Sequence, residues 1–356
     1  MTRLITLLLA LGVVLMPAAA GSATPVTDPV VMRTLAALPP YRPTGQASGT
    51  ISLWGHGSFK RDFMGVLVKR WFAEFQRHHP GVRLDYRMYG TASAIGAVAT
   101  GAGTLAILGE EISPDAARMF ERARGYKPTM IEIANGSVDV NFFDYAHMIF
   151  VHRDNPLAKL SRAQLEQVFG DEHRCASGNV RTWGGLGLTG DWTDKPITPY
   201  SWKTDIDFSL FFRERVLCDS HRWNPATREY VHEKRADGSQ YDHGQQIVDA
   251  IAADRYGIGI SNLRYATPGV RALPLAWTAK GPFVAASTAT IIDRRYPLVR
   301  IIPAYVDRAP GKPMRAAERE LLRFVLSREG QTAMVEESGY LPISAATAAR
   351  ERTKLQ

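Results

Sequence analysis

Apolar and polar positions alternate with two periods along the first half of the chain. Residues 51–54 predict a short strand, and the apolar positions that follow a glycine turn recur at helical spacing. Those helical positions are Phe63, Val66, Leu67, Trp71 and Phe75. The same order repeats at 82–86 and the Ala-rich stretch after Ser93, and again at 104–108 and the helix from Pro114. Strands alternating with helices predict an α/β fold with mainly parallel sheets.

The N-terminus has the pattern of a secretory signal peptide over residues 1–23. Arg3 is followed by the apolar run Leu4–Met16 and then by small residues suited to cleavage. No later run reaches the ~18 to 20 apolar residues that a membrane-spanning helix needs. We therefore expect export to the periplasm. Residues 24–50 are rich in Pro, Thr and Ala without sustained periodicity, and we expect an N-terminal arm there.

The amino-acid composition is that of a globular protein. At 356 residues, with 45% hydrophobic and 22% charged residues, the chain can fold around a substantial core, which excludes disordered and collagen-like proteins. The length favours two domains or two lobes. The net charge of +8 is spread among charges of both signs. It favours an anionic partner, but no basic arm indicates nucleic acid.

Cys175 and Cys218 are the only cysteines of the sequence. In an oxidising compartment they can form one disulfide, and the alternative is two buried thiols. Closing a loop over their separation of 43 positions would stabilise the fold by roughly 3 to 4 kcal/mol. No second Cys/His pair at zinc-site spacing accompanies them, so we expect no metal and no cofactor.

Two hydroxyl residues stand where predicted strands lead into helices. In α/β sheets, ligands bind beyond the carboxyl ends of the strands, where the amides of helix N-termini favour anions. Ser58 and Thr91 occupy such positions. Both could instead be ordinary helix N-caps.

Several segments, in their order along the chain, resemble the phosphate-binding family of exported solute-binding proteins. These segments are 57–59, 89–93, 154–169, 256–261, 296–298 and 324–342. The resemblance implies the type 2 periplasmic-binding-protein fold, with two lobes, each a mainly parallel sheet flanked by helices, and a ligand cleft between them. Lobe one is expected at 51–141 and 262–345, lobe two at 142–261, and a C-terminal tail at 346–356.

The resemblance also implies ligand residues. Ser58 falls on the family's first hydroxyl donor, Thr91 on the second, and Glu110, allowing a one-residue gap, on an acceptor aspartate. A carboxylate accepts hydrogen bonds only from a protonated oxyanion, so it favours hydrogen phosphate over sulfate.

The second-lobe part of the pattern is different in this chain. The family carries an Arg and then Ser-Gly-Thr at a helix N-terminus, whereas residues 199–209 contain no such segment. Trp202 stands about where the Arg would be, and we expect it either to stack on a flat organic ligand or to be a core aromatic. Lys203 and Thr204 are the predicted lobe-two ligand residues, with Lys203 supplying charge without the bidentate fork of Arg. Phosphate binding should be weakened.

The resemblance predicts a solute-binding protein that captures an oxyanion or small polar solute by cleft closure. Its expected partner is an inner-membrane ABC permease, and the protein is expected to be a monomer. The alternative is a non-transport interaction or sensing module on the same fold with a degenerate phosphate site. We do not expect an enzyme, because the sequence has neither a G-x-S-x-G elbow nor a recognisable metal motif.

Overall fold

The structure, a computed structural model, describes residues 27–55, 63–137 and 146–356. Its α-helices are α1 Pro29–Ala37, α2 Phe63–Gln76, α3 Thr91–Thr100, α4 Pro114–Arg124, α5 Arg162–Phe169, α6 Asp207–Arg215, α7 His243–Ala253, α8 Thr288–Ile292, α9 Ala316–Val325, α10 Arg328–Ser338 and α11 Ala345–Thr353. Its strands are β1 Ser48–Gly55, β2 Gly81–Arg87, β3 Leu105–Ile107, β4 Thr129–Asn135, β5 Met148–His152, β6 Leu160–Ser161, β7 Thr198–Trp202, β8 Arg228–Tyr230, β9 Glu233–Lys234, β10 Gln240–Tyr241, β11 Gly257–Ser261, β12 Val270–Ala272, β13 Leu275–Ala276 and β14 Ile301–Val306.

Two five-stranded sheets form the framework, and we call the units built on them lobe one and lobe two. The first sheet has the order β2-β1-β3-β14-β4, and the second β12-β5-β11-β7-β8. In each sheet two pairings are parallel and two antiparallel. In each sheet one strand, β14 in the first and β5 in the second, runs antiparallel to both of its neighbours, and the other four strands share one direction. The predicted α/β class is confirmed.

The connections between the lobes lie side by side. The Gly136 amide donates to the Arg300 carbonyl at 2.9 Å, and the His147 amide donates to the Leu298 carbonyl at 3.1 Å. The Tyr296 hydroxyl also donates to the His147 carbonyl at 2.9 Å. The segment that leads from β4 toward β5 is therefore hydrogen-bonded to the segment that leads into β14.

The division of the chain at residue 261 stays a prediction. The strand β12 pairs with β5 in the second sheet, and β13 pairs with β6. These pairings favour a later return of the chain to lobe one, close to β14.

The helices follow the predicted periodicity where one face is buried. In α2, Leu67, Trp71 and Phe75 are buried, whereas Val66 is on the exposed side. The helix α4 begins and ends as predicted, because Ser113 caps the Ala116 amide and Gly125 adopts the left-handed conformation at its C-terminus. The buried residues of α2 thus lie on one side of the helix, as its periodicity predicts.

The predicted N-terminal arm contains a helix that periodicity did not indicate. In α1, Asp28 accepts from the Val30 amide at 2.7 Å, and Val31 and Leu35 are buried. The Arg328 guanidinium donates to the Leu38 carbonyl at 3.1 Å, which attaches the arm to lobe one. The expected signal peptide at 1–23 lies outside the described residues.

Lobe two carries the predicted disulfide. Cys175 and Cys218 are bonded, with Cα atoms 6.2 Å apart, so this prediction is confirmed. Cys218 follows shortly after the end of α6, which is thereby tied to the segment after α5. None of the helices described is both long enough and apolar enough to cross a bilayer.

Candidate functional site

A cavity of about 120 Å³ lies between the two lobes. Lobe one contributes the start of α3, the loop between β3 and α4, and the residue before β14, while lobe two contributes one face of α6. The lining residues are Thr91, Ala92, Ile95, Leu108, Glu110, Glu111, Ile112, Ser113, Ala116, Leu210, Phe211, Glu214 and Arg300. Because both lobes contribute side chains, this cavity is the candidate ligand site.

A buried guanidinium stands at the centre of the lobe-one wall. Arg300 is 1% exposed, and its Nε donates to Glu111 Oε2 at 3.2 Å while Nη2 donates to Glu110 Oε2 at 3.4 Å. The Arg300 guanidinium carbon also lies 4.9 Å from the ring centroid of Phe211 on α6. A positive charge removed from water requires such partners, and here both lobes supply them.

The loop after β3 is held in place by bonds to β14. Glu111 Oε1 accepts from the Ile301 amide at 3.2 Å, and the Ile112 amide donates to the Tyr305 hydroxyl at 3.2 Å. Burial raises the pKa of Tyr305, so this hydroxyl stays protonated. The two acidic residues of the loop are thereby fixed beside Arg300.

The N-terminus of α3 forms a second part of the lobe-one wall. Gly90 precedes this helix with φ at 110°, a conformation that favours glycine, and no side chain caps the first amides. Thr91 Oγ1 accepts from the Gly109 amide at 3.4 Å, which joins the helix start to the β3–α4 loop. Uncapped amides at a helix start favour a negatively charged group.

The lobe-two wall is a single helix, α6. Leu210 and Phe211 give it an apolar surface, and Glu214 adds one carboxyl group. Burial raises the pKa of Glu214, with further contributions from the negative charges of Asp219 and Glu111. Of the residues that the structure describes, those that line this wall are two apolar residues and one acid, with no cation.

The side chains of the segment before α6 have partners within lobe two. Trp202 is fully buried, with its ring 4.6 Å from that of His147. Lys203 Nζ donates to Asp205 Oδ2 at 2.9 Å, and this bond raises the pKa of Lys203. Thr204 Oγ1 donates to Glu229 at 2.5 Å. Each of the three side chains is thus engaged within lobe two.

Comparison with known proteins identifies the family. A family model described as a PBP superfamily domain matches residues 44–329, which is most of the chain. The chain belongs to the PBP superfamily. This PBP superfamily member is 32% identical over 330 residues to the phosphate-binding protein PstS of Pseudomonas aeruginosa, and the match covers 92% of each chain.

Solved structures share the fold of this PBP superfamily member. PstS from Borrelia burgdorferi aligns with a TM-score of 0.56 at 12% identity, covering 83% of this chain and 100% of that one. An ABC-type phosphate transport receptor from Vibrio cholerae aligns with a TM-score of 0.51 at 14% identity, covering 82% of this chain and 99% of that one. The predicted two-lobed type 2 fold is confirmed.

The predicted ligand residues of this PBP superfamily member fall into three groups. Thr91 and Glu110 both line the cavity. In the part of the chain that the structure describes, Trp202, Lys203 and Thr204 are not among its lining residues, and Trp202 takes the expected alternative of a core aromatic. Ser58 lies outside the described residues. The ligand role of all six stays a prediction.

Sequence reasoning missed Arg300 and Glu214. A signal existed for Arg300, because it is the one charged residue in the run from Leu298 to Ile302, and a lone charge in a buried strand predicts a buried partner. No comparable signal existed for Glu214, since Arg213-Glu214-Arg215 is typical of a solvated helix face.

One group of side chains, in the part of the chain that the structure describes, brings metal-ligand atoms together. The residues that come together with metal-ligand atoms, within the ranges described, are Glu166, Cys175 and Cys218. Both sulfurs are joined in the disulfide, and a metal is bound by thiolates rather than by a disulfide.

Proposed function

We propose that this protein is a periplasmic solute-binding protein that captures phosphate, or an oxyanion of the same protonated kind, by closure of its cleft. It would act as a monomer and deliver the ion to an inner-membrane ABC permease. The relatives whose names state phosphate binding and ABC-type transport support this proposal. They are binding proteins rather than enzymes, and we propose no catalytic step.

The observation that carries the proposal is that Arg300 contacts two carboxylates in a small cavity between the lobes. A guanidinium provides charge-assisted donors that suit a tetrahedral oxyanion. Glu110 contacts Arg300 at 3.4 Å. Its carboxylate can accept a hydrogen bond from the protonated oxygen of hydrogen phosphate. The same carboxylate repels sulfate, which has no proton near neutral pH, and this difference gives selectivity.

The size of the cavity supports a small ion. Its volume of about 120 Å³ is below the roughly 300 to 1,000 Å³ of pockets that hold drug-sized molecules. A sugar or nucleoside would need a wider cleft. The amides at the start of α3, next to Thr91, add donors for an anion.

The disulfide and the N-terminal pattern support the proposed location. A signal-like segment at 1–23 predicts export, and Cys175–Cys218 is a bond that persists in oxidising compartments such as the periplasm. The two observations are independent of each other and agree.

The experiment is calorimetric titration of ligand-stripped protein with phosphate and with sulfate. We expect phosphate to bind and sulfate to bind at least tenfold more weakly. Arg300→Lys, which keeps the charge and removes the fork, should weaken phosphate binding at least tenfold. Arg118→Lys is the matched control, because Arg118 lies on α4 with its side chain 61% exposed and should leave binding unchanged.

The segment before α6 in lobe two supports a second candidate function. The alternative, an interaction or sensing module with a degenerate phosphate site, is favoured by Trp202 in the core and by Lys203 paired with Asp205. Silence toward phosphate, sulfate and molybdate in the titration, with the protein folded, would support this alternative and contradict the first proposal.

A further inference from the structure

The cleft cavity carries more negative than positive charge. Its lining includes the carboxylates of Glu110, Glu111 and Glu214 and the single guanidinium of Arg300. Arg300 is already in contact with the first two, at 3.4 and 3.2 Å. With all three carboxylates ionised, an anion would meet a surplus of two negative charges in a partly desolvated site, which opposes its binding.

Glu214 differs from the other two carboxylates in its contacts. Glu110 and Glu111 share the guanidinium of lobe one, whereas Glu214 comes from α6 on the opposite wall. Within residues 27–55, 63–137 and 146–356, its carboxyl group has no hydrogen-bond or ion-pair partner. It is therefore the acid of the cavity whose charge is least compensated.

The charges around Glu214 come from both lobes. On its own side, Asp219 repels it while Arg213 and Arg215 attract it, and from lobe one Glu111 repels it. The two cations are also engaged elsewhere. Arg213 Nη2 lies 3.2 Å from Asp219 Oδ1, and the Arg215 guanidinium lies 5.7 Å from the ring centroid of Phe211.

Two further groups of lobe one complete these surroundings. The Tyr305 hydroxyl lies close enough to Glu214 to be affected by its charge, as it is by that of Glu111. Arg300 is the cation of the opposite wall and is bound to Glu110 and Glu111. Burial, with repulsion from Asp219 and Glu111, raises the pKa of Glu214, which agrees with the position of its carboxyl group.

We propose that Glu214 is protonated when the cleft holds an anion, and that its carboxyl O–H donates a hydrogen bond to an oxygen of the bound ion. This inference rests on the proposed function and adds a donor from lobe two. The proton comes from solvent when the free carboxylate is ionised, and it remains on Glu214 in the complex. A neutral acid donates where a carboxylate could only repel.

The proton linkage has a definite direction. Below the pKa of Glu214 in the free protein, capture requires no proton from solvent. Above it, each captured ion takes up one proton, so the affinity falls by up to tenfold for each unit of pH. Glu214→Gln supplies a neutral amide donor of similar shape at every pH, so its affinity lacks this part of the pH dependence.

The test is titration of the full-length mature protein and Glu214→Gln with inorganic phosphate between pH 6 and 9. Each titration is repeated in two buffers of different ionisation enthalpy, which gives the number of protons taken up. We expect wild type to take up close to one more proton per phosphate than Glu214→Gln at the upper end of this range. The affinity of wild type relative to the variant should fall by up to tenfold per pH unit. Comparing two proteins cancels the ionisation of phosphate itself.

The matched control is Glu121→Gln, which makes the same change of charge at an exposed position of α4. It should behave as wild type in both affinity and proton uptake. Phosphate binding with equal proton uptake in wild type and Glu214→Gln overturns the role of Glu214 and leaves the proposed function in place. No phosphate binding by any of the folded proteins overturns the proposed function as well.

Discussion

The two walls of the cleft are built in different ways. The lobe-one wall is polar and joins residues far apart in sequence, since Glu110 and Arg300 are separated by 190 positions. The lobe-two wall is one helix, α6, that presents Leu210, Phe211 and Glu214. A polar wall with many cross-links defines charge and geometry, whereas a helix can close over it as a unit. Under the proposed function, lobe one would supply most of the charged groups that an ion meets, and α6 of lobe two would enclose it.

Of the changes to the two lobes, removing the disulfide of lobe two should reduce stability most. Cys175→Ser with Cys218→Ser opens a loop of 43 positions and should reduce the free energy of unfolding by about 3 to 4 kcal/mol. Chemical denaturation of the variant and of wild type measures this loss. A phosphate affinity that falls along with stability would show that the anchor of α6 also serves the cleft. Unchanged stability would contradict the structural role of the bond.

Replacing Arg300 in the lobe-one wall should have the second largest effect on stability. Arg300→Gln leaves Glu110 and Glu111 without their cation, and removal of one partner of a buried ion pair should cost about 3 kcal/mol of stability. Denaturant titration measures the change, with Arg118→Gln as the exposed control. A loss no larger than that of the control would mean that the carboxylates are satisfied by solvent.

A milder change tests the contact between the walls. Phe211→Leu keeps an apolar side chain on α6 but removes the ring that lies 4.9 Å from the Arg300 guanidinium. We expect a loss of stability of about 1 kcal/mol from the lost cation–π contact and imperfect packing. The melting temperature of Phe211→Leu combined with Arg300→Lys should show the two effects to be non-additive. Strict additivity would contradict a direct contact.

The hydrogen bond between α3 and the β3–α4 loop should contribute less to stability. Thr91→Val keeps the shape of the side chain and removes the hydroxyl that accepts from the Gly109 amide at 3.4 Å. The expected cost is about 0.5 to 1 kcal/mol, the net value of one hydrogen bond. Calorimetric titration with phosphate should also show weaker binding by a few fold. Thr91→Ser, which retains the hydroxyl, should restore most of both losses.

The smallest effect is expected at Lys203. Its ammonium group is paired with Asp205 on the surface of lobe two, outside the lining of the cavity. Lys203→Ala should therefore change phosphate affinity less than twofold at physiological salt. A loss of a hundredfold would show that Lys203 leaves Asp205 and reaches the ion when the cleft closes, which would make lobe two a charged wall after all.

Local sequence patterns predicted those helices and strands whose start, apolar face and end are all marked by nearby residues. The helix α4 has its cap, its apolar face and its terminal glycine in one window, so its bounds were predicted correctly. Thr91 and Glu110 were found because strand ends mark the cleft in an α/β sheet. The helix α1 was missed, although Asp28 and Pro29 are a start signal, because its apolar residues contact distant parts of lobe one.

Arg300 could not be placed in the cleft from local patterns. Its neighbours along the chain are those of a buried strand, and its partners lie in a loop near the middle of lobe one. Glu214 is hidden for a related reason, since its surroundings depend on how α6 faces lobe one. Trp202 shows the converse, because a resemblance aligns it with a ligand position while its environment is the lobe-two core.

The hydrogen bond from the Gly136 amide to the Arg300 carbonyl places the backbone of one residue at the connection between the lobes. The side chain of Arg300 lines the cavity, and its backbone carbonyl joins the two segments that connect the lobes. Under the proposed function, a change at the guanidinium on ion binding would therefore reach the connection between the lobes within one residue, which couples the contents of the cleft directly to its closure.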